Sequence, residues 1–166
     1  MASKIDIVQI TKRYKGETHG FFLDLKAWRR FKSRYKLEWQ KVQFGGGATV
    51  PQEPGIYVFT VELTASKLPA HGYIMYVGIT GDGQSLATLA SRYSQYVRHE
   101  INGDGRLKVL YMLKNWSDDL WFNFATFKDP NIDLGKLEQD MLNAVQPPIN
   151  QRDFEAEIAA ARRAAF

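Results

Sequence analysis

"GIYVFTVE" (55–62) and "GYIMYVGIT" (72–80) decide how this chain is read. Both runs are rich in β-branched and aromatic residues, the composition of strands. The second carries Tyr73 and Tyr76 and then breaks at Gly78. A plain core strand has no need of a phenol beside a glycine. The question is therefore whether the two strands are only a hairpin or hold a pair of tyrosines over a substrate. The segment between them, "LTASKLPAHG", is a polar loop with proline and glycine. An antiparallel hairpin that pairs Tyr57 with Tyr76 gives this loop a sensible length. Directly opposed residues point to one face, so both phenols are then expected side by side. Alternation sends Tyr73 and Met75 to the opposite face, as core.

Downstream, "GDGQ" reads as a turn and "SLATLASRYSQYVRHEI" as a helix with Leu86, Ala90, Tyr93, Val97 and Ile101 as its buried stripe. Arg92 and Tyr96 fall at i and i+4 on a neighbouring face. "NGDG" (102–105) ends that helix, "RLKVLYMLKNW" is ambiguous by period, and "DLWFNFATF" (119–127) alternates as a third strand. After "DPNID", a loop and cap, comes the most informative helix, "DLGKLEQDMLNAV" (133–145). Leu134, Leu137, Met141, Leu142 and Val145 share one side at about 100° per residue. Glu138 sits in the middle of that apolar side. A carboxylate there is costly to bury unless something positive meets it. It reads either as a partnered or edge glutamate that reaches water, or as a metal ligand or catalytic acid. Pro147 and Pro148 stop the helix ahead of Asn150, and "DFEAEIAAARRAAF" reads as a short closing helix.

Upstream, "GGGAT" (45–49) with Pro51 and Pro54 reads as a loop that separates an N-terminal segment, 1–50, from the main body, 51–150. Residues 151–166 form the closing element. Within the first segment, "DLKAWRRFKSRYKLEWQK" (24–41) predicts an amphipathic helix capped by Asp24, with Leu25, Trp28, Phe31, Tyr35 and Trp39 on its stripe. Its other faces carry Lys26, Arg29, Arg30, Lys32, Arg34, Lys36 and Lys41 against one acid, Glu38. That imbalance reads as a solvated face or as a surface that tracks phosphates. Together the elements predict an α+β fold. It is a small, mainly antiparallel three-stranded sheet flanked by helices, with an added basic N-terminal helix.

The 166 residues, 45% of them hydrophobic, suffice for one core. There is no cysteine, which removes disulfides, thiolate nucleophiles and zinc ribbons. The three histidines (His19, His71, His99) have no metal-ligand spacing, which argues against a zinc enzyme. The first residues lack an apolar run behind a basic start, and no stretch approaches the length of a membrane span. A cytoplasmic protein without a membrane partner is the default expectation. A net charge of +4 fits a nucleic-acid partner without demanding one.

Five pieces in order make the chain resemble the GIY-YIG nucleases. "GIY" stands at 55–57, and "YVG" at 76–78 takes the place of the second triplet. Arg92 lies on the following helix, Glu138 on a later one, and Asn150 ends "PPIN". The resemblance covers residues 54 to 150. YVG for YIG is a conservative departure. The basic helix and the glycine run lie outside the shared part, and no attached zinc finger or helix-turn-helix is visible. That points to a compact stand-alone enzyme like the family's restriction endonucleases.

The resemblance implies an activity and a set of roles. The activity is phosphodiester hydrolysis in double-stranded DNA, with a divalent cation on Glu138, Mg²⁺ or alternatively Mn²⁺. By the same resemblance, Arg92 holds the scissile phosphate with its planar fork. Tyr57 is the general base toward water. A phenol of pKa about 10 needs a nearby cation for that role, and Lys67 is the candidate. His71 is a competing base or proton shuttle, Tyr76 positions water or phosphate, Tyr96 joins the phosphate contacts, and Asn150 braces the site. Arg29, Arg30, Lys32, Arg34 and Lys36 become a DNA-gripping arm. Site-specific restriction cutting would favour a homodimer on DNA. The alternatives are a structure-selective nuclease of repair or phage DNA processing, a non-catalytic nucleic-acid-binding module, and a small α+β protein whose matches are coincidence.

Overall fold

The computed structural model describes residues 6–33, 35–45, 47–62, 71–83, 85–129 and 131–150, together with positions 156 and 160. In chain order the elements are α1 (Ile7–Glu17), α2 (Leu25–Arg30), β1 (Gln40–Gln43), β2 (Gly55–Glu62) and β3 (Gly72–Thr80). They continue with α3 (Leu89–Asn102), α4 (Leu107–Asn115), a 3₁₀ turn (Ser117–Asp119), β4 (Leu120–Thr126) and α5 (Leu134–Val145). The fold is α+β, and among the described residues its sheet has four strands in the order β1-β4-β2-β3, every pair antiparallel.

The fourth strand corrects the expected three. Gln40–Gln43 pairs with β4, so the N-terminal segment supplies an edge of the sheet. The basic helix expected over 24–41 accordingly stops at Arg30, where Phe31 turns extended. Lys26 and Arg30, Arg29 and Lys32 stand three or four apart, where like charges repel along a helix. Leu25 and Trp28 remain exposed, so no burial offsets that repulsion. The Asp24 cap is as expected: its carboxylate accepts from the Ala27 amide at 2.6 Å.

Two cores lie on opposite faces of the sheet. Tyr57, Phe59 and Val61 of β2, with Phe122 and Phe124 of β4, meet Leu89, Tyr93 and Tyr96 of α3 and Val109, Met112 and Leu113 of α4. Ile56, Val58, Val77 and Ala125 meet Leu134, Leu137, Met141 and Leu142 of α5 on the other face. The α3 stripe differs from expectation. Leu86 precedes the helix and is 97% exposed, and Ile101 is exposed as well. Thr88 caps the helix with a reciprocal Ser91 bond, and the buried positions are Leu89, Tyr93 and Tyr96. The ambiguous segment is the helix α4. Among the described residues no helix is long and apolar enough to cross a membrane. Of the closing element 151–166, only positions 156 and 160 are described.

The hairpin register also departs from the assumed one. Tyr57 faces Gly78, and Tyr76 faces Phe59. The two tyrosines are diagonal neighbours, still on one face, with ring centroids 6.2 Å apart. A register shift between Phe59 and Thr60 leaves Met75 as an extra residue in β3. One inserted residue reverses the alternation beyond it. Met75 therefore packs in the tyrosine-side core, and Tyr73, opposite Val61, shares that face. Neither lies on the side that strict alternation assigns.

Candidate active site

Gly78 exists for Tyr57. A Cβ at position 78 would collide with the Tyr57 hydroxyl oxygen, so only a glycine lets that ring lie across β3. The Tyr57 and Tyr96 hydroxyls are 3.0 Å apart and share a hydrogen bond. Tyr57, Tyr76 and Tyr96 form a triangle of rings with centroids 6.0 to 6.3 Å apart. All three are buried. Burial, reinforced by the neighbouring phenols and opposed by the Arg92 guanidinium, holds Tyr57 well above the ordinary phenol pKa. Burial raises Tyr96 in the same way. These phenols are protonated hydrogen-bonding groups at neutral pH. For Tyr57 to act as a base it must first lose its own proton, which takes positive charge beyond that of Arg92 to favour the phenolate.

Arg92 projects from α3 toward this triangle. One of its terminal nitrogens donates to the Gln95 side chain at 2.8 Å, while its Nε is buried without a hydrogen-bond partner. A guanidinium N–H kept out of water with no acceptor is an uncommon arrangement that an arriving anion would satisfy. From α4, Arg106 donates to the Tyr76 hydroxyl at 2.9 Å, with its cationic carbon 5.5 Å from that ring's centre. Sequence reasoning did not single out Arg106. It stands at the N-cap position of α4, thirty residues from Tyr76, and only its place after "NGDG" marks it as a cation that opens a helix.

Asn150 is fully buried against β3. Its side-chain oxygen accepts from the Val77 amide, and its side-chain nitrogen donates to the Val77 carbonyl, both at 2.8 Å. β3 is an edge strand, and this amide satisfies the outward backbone groups as another strand would. The Ile149 amide bonds the Met75 carbonyl alongside. The "PPIN" segment thus carries the chain from α5 round the β3 edge to the tyrosine face. Asp133 caps α5, accepting from the Lys136 amide at 2.8 Å.

Glu138 is half-buried on α5, on the same side as Leu134 and Leu142. Its helix packs on the face opposite the tyrosines. The structure therefore gathers Tyr57, Tyr76, Tyr96 and Arg92 into one cluster, while Glu138 approaches the sheet from the other layer. Asn150 links that layer to β3. Among the described residues no group of three or more histidines, cysteines or acids could hold a metal. One carboxylate of this kind fits a hard cation such as Mg²⁺, which keeps waters and takes substrate oxygens; it does not fit an all-protein cage. His71 packs its ring edge-on to Tyr73, at 5.1 Å and at the far end of β3 from Gly78. Lys67 lies outside the described residues.

Arg29, Arg30, Lys32 and Lys36 are exposed, and Lys36 pairs with Glu38 at 2.5 Å. Arg34 lies outside the described residues. Lys26, Arg30 and Lys32 line a hollow of about 390 Å³ against Asp140 and Asn143 of α5, with Asp24 at its side. The basic segment and Glu138 therefore share a layer. Compared with protein-family models, with curated proteins and with solved structures, the chain matches none.

Proposed function

We propose that the protein is a divalent-metal-dependent DNA endonuclease of the GIY-YIG type that hydrolyses phosphodiester bonds. The observation that carries the reading is Arg92. Its Nε is buried without a partner, and its charge acts on the buried Tyr57 and Tyr96 hydroxyls, a place that suits a phosphate. The sequence supports it independently, since the tyrosines, Arg92, Glu138 and Asn150 recur in the family's order.

In this reading Arg92 takes the phosphate through paired N–H···O bonds and stabilises the charge that grows on its oxygens. By the resemblance, Glu138 would hold a divalent cation that supplies charge stabilisation and favours an ionised water, and it would do so from the α5 layer, on the face of the sheet opposite the tyrosines. Tyr57 takes the proton of the attacking water only as the phenolate, so its own proton must first leave to solvent, a loss that a cation close to the ring would favour against burial. Tyr76, fixed by Arg106, donates to phosphate or water. Asn150 reacts with nothing and holds β3 so that Tyr76 and Gly78 keep their places. Arg29, Arg30, Lys32, Arg34 and Lys36 contact DNA backbone away from the scissile bond.

Two enzymatic versions differ in substrate. Restriction-type cutting of a duplex site calls for a homodimer on DNA. A structure-selective enzyme of branched or damaged DNA need not dimerise, and a pocket on the tyrosine face lined by Phe21, Tyr73 and Trp116 favours it. Single-turnover cleavage by wild type and Arg92→Ala tests the common core. Loss of one such electrostatic contact is expected to slow the chemical step by about 100-fold or more. An unchanged rate removes Arg92 from the reaction.

A further inference from the structure

A second pocket opens on the tyrosine face, apart from the residues that carry the chemistry of the nuclease reading. It has a volume of about 340 Å³, within the range of small-molecule sites. Phe21 and Tyr73 pack at 4.5 Å between centroids with their planes tilted by 32°, and His19 and Trp116 stand at 6.3 Å. Met75, fully buried, closes the floor. His19 Nε2 and Trp116 Nε1 are buried with no hydrogen-bond partner. Two such nitrogens beside one cavity are a standing cost that an occupant can relieve. Burial, with the charge of Lys108, pushes His19 below the ordinary imidazole value, so at pH 7 its ring is neutral and offers an acceptor as well as a donor.

We propose that this slot binds an unpaired nucleobase of a DNA strand whose neighbouring phosphate lies at the tyrosine cluster, the second half of the statement resting on the nuclease reading. A base is flat enough to stack on Phe21 and Tyr73, and its edge carries the donors and acceptors that His19 and Trp116 lack. Glu17 at the rim disfavours a phosphate in the same place, so the strand enters base first. The bulge at Met75 is what brings the slot to the reacting face. Tyr73 stands three residues from Tyr76, about 10 Å along the strand. α4 bridges the same span, running from Arg106 at the Tyr76 hydroxyl to Asn115, immediately before Trp116. A base stacked inside a duplex cannot reach the slot, so the favoured substrate is DNA with an unstacked base: a flap, a bulge or a single strand.

The test uses the full chain without added metal and a short single-stranded oligonucleotide carrying one 2-aminopurine, whose fluorescence is quenched on stacking. Saturable quenching is expected. Replacing that base by an abasic site is expected to weaken binding by about tenfold, the worth of one lost stack. Tyr73→Ala and Phe21→Ala should do the same with the intact oligonucleotide. Both side chains are about 40% exposed, so either substitution leaves the fold in place. Absence of quenching, or equal affinity for the abasic strand, overturns the proposal. Cleavage with Mg²⁺ separates the two levels. Base-dependent binding without cleavage of any DNA keeps the slot and sinks the nuclease reading. Cleavage indifferent to the abasic site keeps the nuclease and sinks the slot.

Discussion

On the α5 face of the sheet, Ile56, Val58 and Val77 meet Leu137, Met141 and Leu142, hydrocarbon against hydrocarbon. On the α3 face, Tyr57, Tyr76 and Tyr96 bring three hydroxyls into an equally tight place, with Phe59 and Phe122 packed between them. Phenylalanine would fill that space without asking for hydrogen bonds. A buried hydroxyl without a partner costs about 1–3 kcal/mol, and here the hydroxyls are held by one another and by Arg106. This hydrocarbon packing serves stability, and the α5 layer's candidate site residue, Glu138, stands half-buried beside it. The α3 face accepts polar demands that stability does not require, and the nuclease reading gives those demands a use.

The contrast can be broken at several points. Leu137→Ala, on the hydrocarbon face, is expected to destabilise the fold by about 2–5 kcal/mol in urea unfolding, as a buried large-to-small change does. A loss under about 1 kcal/mol would mean that face is loosely packed. Asn150→Ala should follow closely at about 2–4 kcal/mol, because the amide and carbonyl of Val77 lose both partners at the β3 edge. Asn150→Asp should recover only part of this, since a carboxylate accepts from the amide but gives nothing to the carbonyl.

The buried phenols add a dependence on pH. Tyr57 and Tyr96 have folded pKa values raised above the unfolded value of about 10. An acid of that kind stabilises the fold fully below its unfolded pKa, and the contribution is lost as pH climbs toward the folded value. Unfolding free energy should therefore hold level from about pH 8 to 9. Above about pH 10 it should fall by about 1.4 kcal/mol per pH unit for each phenol that stays protonated. Absorbance near 295 nm should show two of the eight tyrosines ionising only with unfolding. Ionisation of all eight in the folded protein would contradict the geometry of the cluster. The smallest effect belongs to Arg29→Ala and Arg30→Ala. Each should change stability by under about 0.5 kcal/mol, while lowering the salt slope of DNA binding by about one. An unchanged slope makes the segment ordinary surface.

Much of the fold was legible in the sequence where a signal is local. Asp24 and Asp133 announce the helices they cap, and Glu138 stands among apolar neighbours on its helix. The strands at 55–62 and 119–127 follow from alternation and composition. What escaped depends on contacts between distant residues. Gln40–Gln43 has no strand signal of its own and forms one because β4 offers an edge. The bulge at Met75 leaves no mark in the sequence, yet it moves Tyr73 to the tyrosine face and sets Tyr57 over Gly78. Arg106 and Trp116 are an unremarkable cation and aromatic until α4 lays one against Tyr76 and the other beside His19. Side-chain type could be read; side-chain company could not.

The most direct test of the nuclease reading is cleavage, with Mg²⁺, of a labelled DNA that joins duplex to a single-stranded flap, by wild type and by Glu138→Gln. The account predicts scission by wild type that stops on chelation of the metal. The variant, folded by circular dichroism, should leave the DNA intact. Equal cutting by both proteins, or no cutting by wild type in either the duplex or the flap, would contradict it.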